Sequence, residues 1–362
     1  MMEAKRNSIP KQEAPFGPDK PAFIVGEAGS NWRAGELGGD EERAHKLIDA
    51  AAEAGCDAVK FQVFRAETIY APGAGQSDYL AKAGIHEDAL ELLRGLEMPY
   101  EMLAGLAAHA RERGLEFMAS AFSVADARAV DPHVTVHKVA SSELNHFRLL
   151  EFLTATGKPL LMSTGAGTYA DIQRALDFVR AAADVPIALL QCTAAYPAPP
   201  EAVNLLAIPK LADTFGAVAG LSDHSADPVA APAAAVALGA KVVEKHFTLD
   251  SGLPGPDHSF AIEPHELAAM VRAIRLVETM RGSGEKEIQA AEEELFRYSQ
   301  RAIQATRDVA AGDVLREGEN VDILRPGKNP KGLNPFRIVD VNGRRATRDI
   351  PAGDGIQEGD FA

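Results

Sequence analysis

The chain has 362 residues, 46% of them hydrophobic and 25% charged, and a formal net charge of −15 at pH 7. These proportions fit a globular protein with a sizeable core, and the acidic balance argues against nucleic acid or an anionic membrane as partner. Two cysteines in no CxxC pattern, Cys56 and Cys192, argue against a disulfide framework and for a reducing compartment, and no apolar run approaches the ~20 residues that cross a bilayer.

Residues 1–20 are polar and lack the apolar core of a signal peptide, so they read as a loose, disordered tail on a cytoplasmic protein. From residue 21 to residue 281 short apolar runs alternate with helical patterns. The runs are FIVGEAG (23–29), DAVKFQV (57–63), LEFMASAF (115–122), VHKVASS (136–142), PLLMSTG (159–165), IALLQCT (187–193), AVAGLSDH (217–224) and KVVEKHF (241–247). Gly55, Gly114, Gly157 and Gly239 stand where helices should end before a new strand. Eight β/α units in about 250 residues predict an α/β protein with a (β/α)8 TIM barrel, in which chemistry gathers on the loops after the strands. A doubly wound open sheet is the alternative, and the first strand lacks the GxGxxG turn that would favour it. The stretch from Phe64 to Pro99 is too long for a simple connector and predicts an excursion over the barrel mouth. Residues 282–299 read as a charged, helix-prone linker. Residues 300–362 read as a small β domain in which TRDVAAGDVL is echoed by TRDIPAGDGI.

Alternation along the strands sorts the side chains that reach the barrel interior. Lys60 and Gln62 share a face, as do Ser222 and His224, and Val242, Glu244 and His246. Strict alternation would part Lys138 from Ser141, so both point inward only if the strand end curves. Glu27 and Glu143 close the first and fourth runs, and the PGPDH turn can aim Asp257 back over the eighth strand. Histidine is the commonest metal ligand, and His224 and His246 end neighbouring strands, a credible half-site for a divalent ion. Lysines at the same edge suit phosphate or carboxylate, and buried carboxylates suit acid–base work. Each residue has a structural alternative: a hydrogen-bonded histidine, a Lys60–Glu27 ion pair, or Ser163-Thr164-Gly165 as a helix cap. His137, His258 and His265 carry no functional expectation.

Nine phrases taken in order resemble the sialic acid synthase family, which condenses phosphoenolpyruvate with amino sugars to form nonulosonic acids. They are GEAGSNW, AVKFQ, ASAFS, HKVASSE, LMSTGA, LQCTAAYPAPPE, GLSDHS, EKHFTLD with PGPDH, and the LRPGK tail, and they cover Phe23 to Phe361. The last resembles the antifreeze-like (SAF, β-clip) domain of that family. The resemblance implies His224 and His246 as ligands of a divalent metal, manganese first and magnesium or cobalt as alternatives. It implies phosphoenolpyruvate contacts at Lys60, Ser120, Lys138, Ser141, Ser163 and Ser222. It also implies sugar contacts at Glu27, Tyr196 and Asp257, and catalytic roles for Glu27, Glu143 and His246. Arg325 matches an arginine that enters the partner's site in a domain-swapped homodimer. The implied sugar is N-acetylmannosamine or a relative, the precursors of legionaminic and pseudaminic acids among them. Ala121, Ala194 and the Ser30–Arg33 stretch depart from common family residues, and Trp32 and Arg33 are expected beside the sugar end. Other classes to weigh are a metal-dependent barrel aldolase or isomerase, and a glycan-binding tail on an inert barrel.

Overall fold

Two-residue alternation within each apolar run, broken by amphipathic helices, builds the first unit of the chain. A computed structural model describes residues 12–35, 38–76 and 88–362, and the chain divides into two units, residues 1–282 and 283–362. In the first unit β1 (Phe23–Gly29), β2 (Ala58–Val63), β3 (Glu116–Ala121), β4 (His137–Val139), β5 (Leu160–Ser163), β6 (Ile187–Cys192), β7 (Val218–Asp223) and β8 (Val242–His246) pair in sequence order. All the pairings are parallel, and β8 pairs with β1 to close the barrel. The eight expected strands are all present, and the open-sheet alternative is excluded by the closure.

The helices between them bury an apolar face on the outside of the barrel. The helix Asp40–Ala54 starts with Asp40, Glu41 and Glu42 in its first turn, where carboxylates meet the positive end of the dipole, and ends at left-handed Gly55. Between β2 and Pro99 the described part carries two short helices, Ala66–Ile69 and Ala89–Arg94, while residues 77–87 of the expected excursion lie outside the described residues. No helix among the described residues is long and apolar enough to cross a membrane.

Inside the barrel the strands carry two layers. Val25, Ala58, Met118, Val136, Leu161, Leu190 and Val242 form a dry lower layer. Two residues further along each strand stand Glu27, Lys60, Ser120, Lys138, Ser163, Cys192 and Glu244, each at most 7% exposed. Strand β7 follows the same rule with Gly220 below and Ser222 above. A Cβ on Gly220 would lie 2.4 Å from the Val242 carbonyl oxygen and 2.7 Å from Leu190 Cδ2, so only glycine lets β7 and β8 close over the lower layer.

From residue 12 onward the N-terminal segment departs from the expected loose tail, while residues 1–11 of that expectation lie outside the described residues. Among its described residues, Ala14 and Phe16 are 9% and 4% exposed and pack with the lower layer. The apolar pair is too sparse to register as an element in the sequence, yet it plugs the bottom of the barrel and keeps water from the lower layer.

The second unit has its own core, built from Ile303, Leu315, Val321, Ile350, Ile356 and their neighbours. Its strands β9 (Ala302–Ala305) and β10 (Val321–Leu324) pair antiparallel. The helix-prone stretch before them forms the helix Glu293–Ser299. The echo in sequence is an internal symmetry. Val309 N donates to Ile350 O and Ile350 N to Val309 O, while Ala311 N donates to Asp349 Oδ1 and Ala352 N to Asp308 Oδ1.

Candidate active site

The upper layer of side chains forms the floor of a cavity of about 600 Å³ at the carboxyl ends of the strands. Its centre is a network of four buried charges. Lys60 Nζ is 2.5 Å from Glu27 Oε2 and 3.8 Å from Glu244 Oε2, and Lys138 Nζ is 3.4 Å from Glu244 Oε1. Each ammonium group also donates to a hydroxyl, Lys60 to Ser120 Oγ (3.1 Å) and Lys138 to Ser163 Oγ (2.8 Å). Ser222 Oγ donates to Glu244 Oε1 (2.9 Å), and Gln62 Nε2 to Glu27 Oε1 (3.2 Å). The Lys60–Glu27 pair anticipated as a structural alternative is therefore real, and it sits in the cavity rather than apart from it.

The two acids are driven in opposite directions. Burial pushes the Glu27 carboxyl up, with Lys60 opposing and Glu244 assisting. Burial would also raise Glu244, but Lys138 and Lys60 outweigh it and hold that carboxylate below its ordinary value. Burial lowers the Lys138 ammonium against the pull of Glu244. Opposed shifts in adjacent acids separate a proton holder, Glu27, from a fixed charge, Glu244.

Beside this floor stand the two imidazoles, with ring centroids 5.4 Å apart. His224 Nδ1 lies 2.8 Å from the Thr193 carbonyl, to which it donates, so in the neutral ring Nε2 carries the lone pair. His246 Nδ1 is buried without a hydrogen-bond partner, 4.0 Å from Asp257 Oδ2. Burial, His224 and the nearby lysines hold His246 well below the usual histidine range, which keeps it neutral. Burial opposes the proton on His224 too, but Cys192 and the Thr193 carbonyl raise it above its ordinary value. Tyr196 packs against His224 at 4.2 Å between centroids. Asp257 reaches the cavity from the PGPDH turn and accepts from Ser30 Oγ at 3.1 Å. His258 on the same turn bridges Thr248 and the Arg33 carbonyl, a packing role. Gly29, at φ 54, lies where a Cβ would meet Asp257, Gln62 and Glu27 within 3.3 Å, so the cavity wall needs a glycine there.

Glu27, Lys60, Ser120, Lys138, Ser141, Ser163, Tyr196, Ser222, His224, His246 and Asp257 all line this one cavity. Ser141 does so because the chain leaves the three-residue β4 in a tight 3-10 turn, Ser141–Glu143, where its hydroxyl accepts from Gly165 N at 2.9 Å. The same turn removes Glu143. Side chains rotate about 120° per residue in a 3-10 helix, and Glu143 is not among the lining residues, although burial raises its carboxyl. Trp32 and Arg33 also depart from expectation. Trp32 is buried in the layer between barrel and helices, Arg33 is tied to Asp40 and the Gly95 carbonyl, and neither lines the cavity. Arg325, in the second unit, is exposed and has no hydrogen-bond or ion-pair partner among the described residues. Gln62 and Glu244, which alternation had turned inward without assigning them a role, line the cavity, and so do Cys192 and Asn145, which were not singled out. Cys192 shares the inward face of β6 with Leu190, a signal that alternation could have supplied.

Comparison with known proteins gives a consistent pattern. Residues 47–286 match the NeuB family, and residues 300–362 match the SAF domain. The chain is 41% identical to the spore coat polysaccharide biosynthesis protein SpsE of Bacillus subtilis, over 88% of this chain and 87% of that protein. It is 35% identical to the N,N'-diacetyllegionaminic acid synthase of Legionella pneumophila, over 91% of this chain and 92% of that one. Among solved structures, N-acetylneuraminic acid synthetase from Leptospira borgpetersenii superposes with a TM-score of 0.68 at 31% identity, covering 77% of this chain and 91% of that one.

Proposed function

The chain belongs to the NeuB family of phosphoenolpyruvate-condensing synthases, and we propose that it joins phosphoenolpyruvate to an open-chain N-acylated amino hexose, releasing phosphate and a nonulosonic acid. The observation that carries this reading is the pairing in one cavity of two hydroxyl-supported ammonium groups with two imidazoles. Lys60, Lys138, Ser120, Ser141, Ser163 and Ser222 would hold the phosphate and carboxylate. In the reaction C3 of phosphoenolpyruvate bonds to the sugar aldehyde carbon, and the aldehyde oxygen takes a proton. Water then adds at C2 and loses one proton to a carboxylate; as the C2–O bond to phosphate breaks, the hydroxyl left on C2 becomes the ketone and its proton leaves with the phosphate. Glu27, whose burial favours the protonated form, is suited to give its proton to the aldehyde oxygen and then, as the carboxylate, to take the one that water loses.

A divalent ion suits the imidazole edge. His246 Nδ1 is a buried orphan and His224 keeps Nε2 free, although among the described residues no third His, Cys, Asp or Glu side chain joins them in a ligand set. His224 and His246 would hold manganese, or magnesium or cobalt, with water and sugar oxygens completing the shell. Bound there, the ion supplies Lewis-acid polarisation of the aldehyde. Asp257 and Tyr196 would orient the sugar.

What supports an unphosphorylated sugar is the charge of the wall. Among the described lining residues the only ammonium or guanidinium groups are Lys60 and Lys138, both facing carboxylates, while Asp171 and Asp257 add further carboxylates to the lining. Ala194 in the wall removes one polar contact, which fits the deoxy sugars that lead to legionaminic or pseudaminic acid as well as N-acetylmannosamine. Arg325 would complete the cavity of a second copy, and mixing an Arg325→Ala chain with a Lys60→Met chain should then restore part of the activity. The decisive test is phosphate release from phosphoenolpyruvate with manganese across N-acetylmannosamine, its 6-phosphate and the diacetamido-trideoxyhexoses. Release that needs both substrates supports the reading; no release with any of these sugars defeats it.

A further inference from the structure

Strand β8 alternates strictly. Val242, Glu244 and His246 face the barrel interior, so Lys245 points to the opposite side, into the helix layer, where its side chain is 1% exposed. An ammonium group in that position is costly unless every donor is met. Here all its partners come from the last residue of β7 and the four residues that follow it. Lys245 Nζ lies 2.6 Å from Asp223 Oδ2, 2.5 Å from the Ser225 carbonyl, 3.0 Å from the Asp227 carbonyl and 3.4 Å from Ser225 Oγ. Asp223 closes the loop on itself, accepting from Ser225 N at 2.9 Å and from Ser225 Oγ at 3.0 Å. The residue enclosed between Asp223 and Ser225 is His224, and the residue next to Lys245 is His246.

The β7–β8 ladder ends at the pair Asp223–Lys245. Beyond it β1 still holds His246 through its pairing with Glu27, but no β7–β8 pairing ties the two histidines to each other, and the buried clamp begins where that ladder stops. We propose that Lys245 is a positioning residue that sets the separation of the His224 and His246 imidazoles from the far side of the strand. It touches neither substrate nor metal. Its cation ties both neighbours of His224 to the backbone that carries His246. Three carbonyl or carboxylate oxygens around one point charge suit lysine, whereas the broad fork of arginine would need a wider opening. The inference rests on reading the two histidines as ligands, and it adds the reason their spacing is held.

Lys245→Met alone leaves the Asp223 carboxylate buried without its cation and should lose thermal stability, so the decision belongs to the paired variant Lys245→Met/Asp223→Asn. This variant keeps the acceptor for Ser225 N and removes both charges. Full-length protein should retain its circular dichroism and bind phosphoenolpyruvate within about twofold of wild type. Its Mn²⁺ affinity, titrated by electron paramagnetic resonance, should fall about 10–100-fold, the range for loss of an outer support of a metal ligand. The metal-free protein gives a second readout, the His224 Nδ1–H proton resonance set by the Thr193 carbonyl, which should shift or broaden. An unchanged resonance overturns the proposal, as does an unchanged Mn²⁺ affinity where the wild type binds the ion. Should the wild-type chain bind no Mn²⁺, the metal reading of the site falls, and the resonance alone decides the positioning role.

Discussion

Glu244 binds together the two lysines of the cavity floor, and Glu244→Gln tests whether that floor is charge-balanced in advance of substrate. The carboxylate lies 3.4 Å from Lys138 and 3.8 Å from Lys60. At an effective dielectric near 20 these separations give gross attractions of about 5 and 4 kcal/mol. Desolvation of a buried carboxylate takes back several kcal/mol, yet the lowered pKa of Glu244 shows that attraction wins. Glutamine keeps the shape and the hydrogen bond from Ser222, and removes only the charge. Breaking a buried pair typically costs about 3–5 kcal/mol, and Glu27 remains to hold Lys60, so the lower end, about 3 kcal/mol, is expected. Trp32 is the chain's one tryptophan and is 2% exposed in the barrel unit. Its fluorescence in a urea titration therefore reports this unit alone. The same substitution adds one net positive charge to the floor, so calorimetry with phosphoenolpyruvate should show equal or tighter binding. Stability and affinity are thus predicted to move in opposite directions. Wild-type stability, or binding weakened tenfold, would refute the balanced-floor argument.

Three further outcomes follow from named contacts. Phe16→Ala empties the barrel plug and should cost about 3–5 kcal/mol in the same urea titration; a change below 1 kcal/mol would return residues 12–20 to the status of a loose tail. Gly220→Ala places a Cβ 2.4 Å from a carbonyl oxygen of β8, so it should exceed the ~1–3 kcal/mol of ordinary overpacking or abolish soluble protein, and a well-folded variant would contradict the close approach of the strands. The Asp131 carboxyl is drawn down to about 2, first by the hydrogen bond from His137 and then by Lys158. Because the folded pKa is the lower one, its stabilisation is complete above pH 4 and is lost as pH falls toward 2. Asp131→Asn should therefore flatten the decline of the urea midpoint between pH 4 and pH 2.5, and an unchanged slope would remove Asp131 from the acid response.

The barrel and most of its cavity were legible because a period of two survives in every strand. An apolar residue and, two places later, a polar one mark the dry layer and the reactive layer, as in Val25 and Glu27 or Val136 and Lys138. The residues placed elsewhere than the sequence suggested lie where that period stops. Glu143 follows a strand of only three residues, and the 3-10 turn after it sends Ser141 inward and Glu143 elsewhere. Trp32 and Arg33 follow the bulge at Gly29, where the register of β1 against β2 shifts. Phe16 belongs to no repeating pattern at all, and its burial depends on a barrel assembled from residues far along the chain.

The same layering explains why a network of opposed charges is tolerable inside a barrel. Below Glu27, Lys60, Lys138 and Glu244 lies a sealed apolar layer, so no water reaches them from beneath, and each charge must be met by another. The floor contains two cations and two carboxylates, and a trianionic substrate cannot add to it without rearranging them. Lys60 and Lys138 would turn from Glu27 and Glu244 toward the incoming phosphate and carboxylate. Glu27, already biased by burial toward the protonated form, is the acid that can yield its partner without leaving a naked negative charge. Glu244, held below its ordinary pKa by both lysines, stays ionised and balances their charge from beneath. The asymmetry between these two carboxylates thus gives one floor two tasks, proton transfer on the Glu27 side and a fixed counter-charge beneath the lysines on the other.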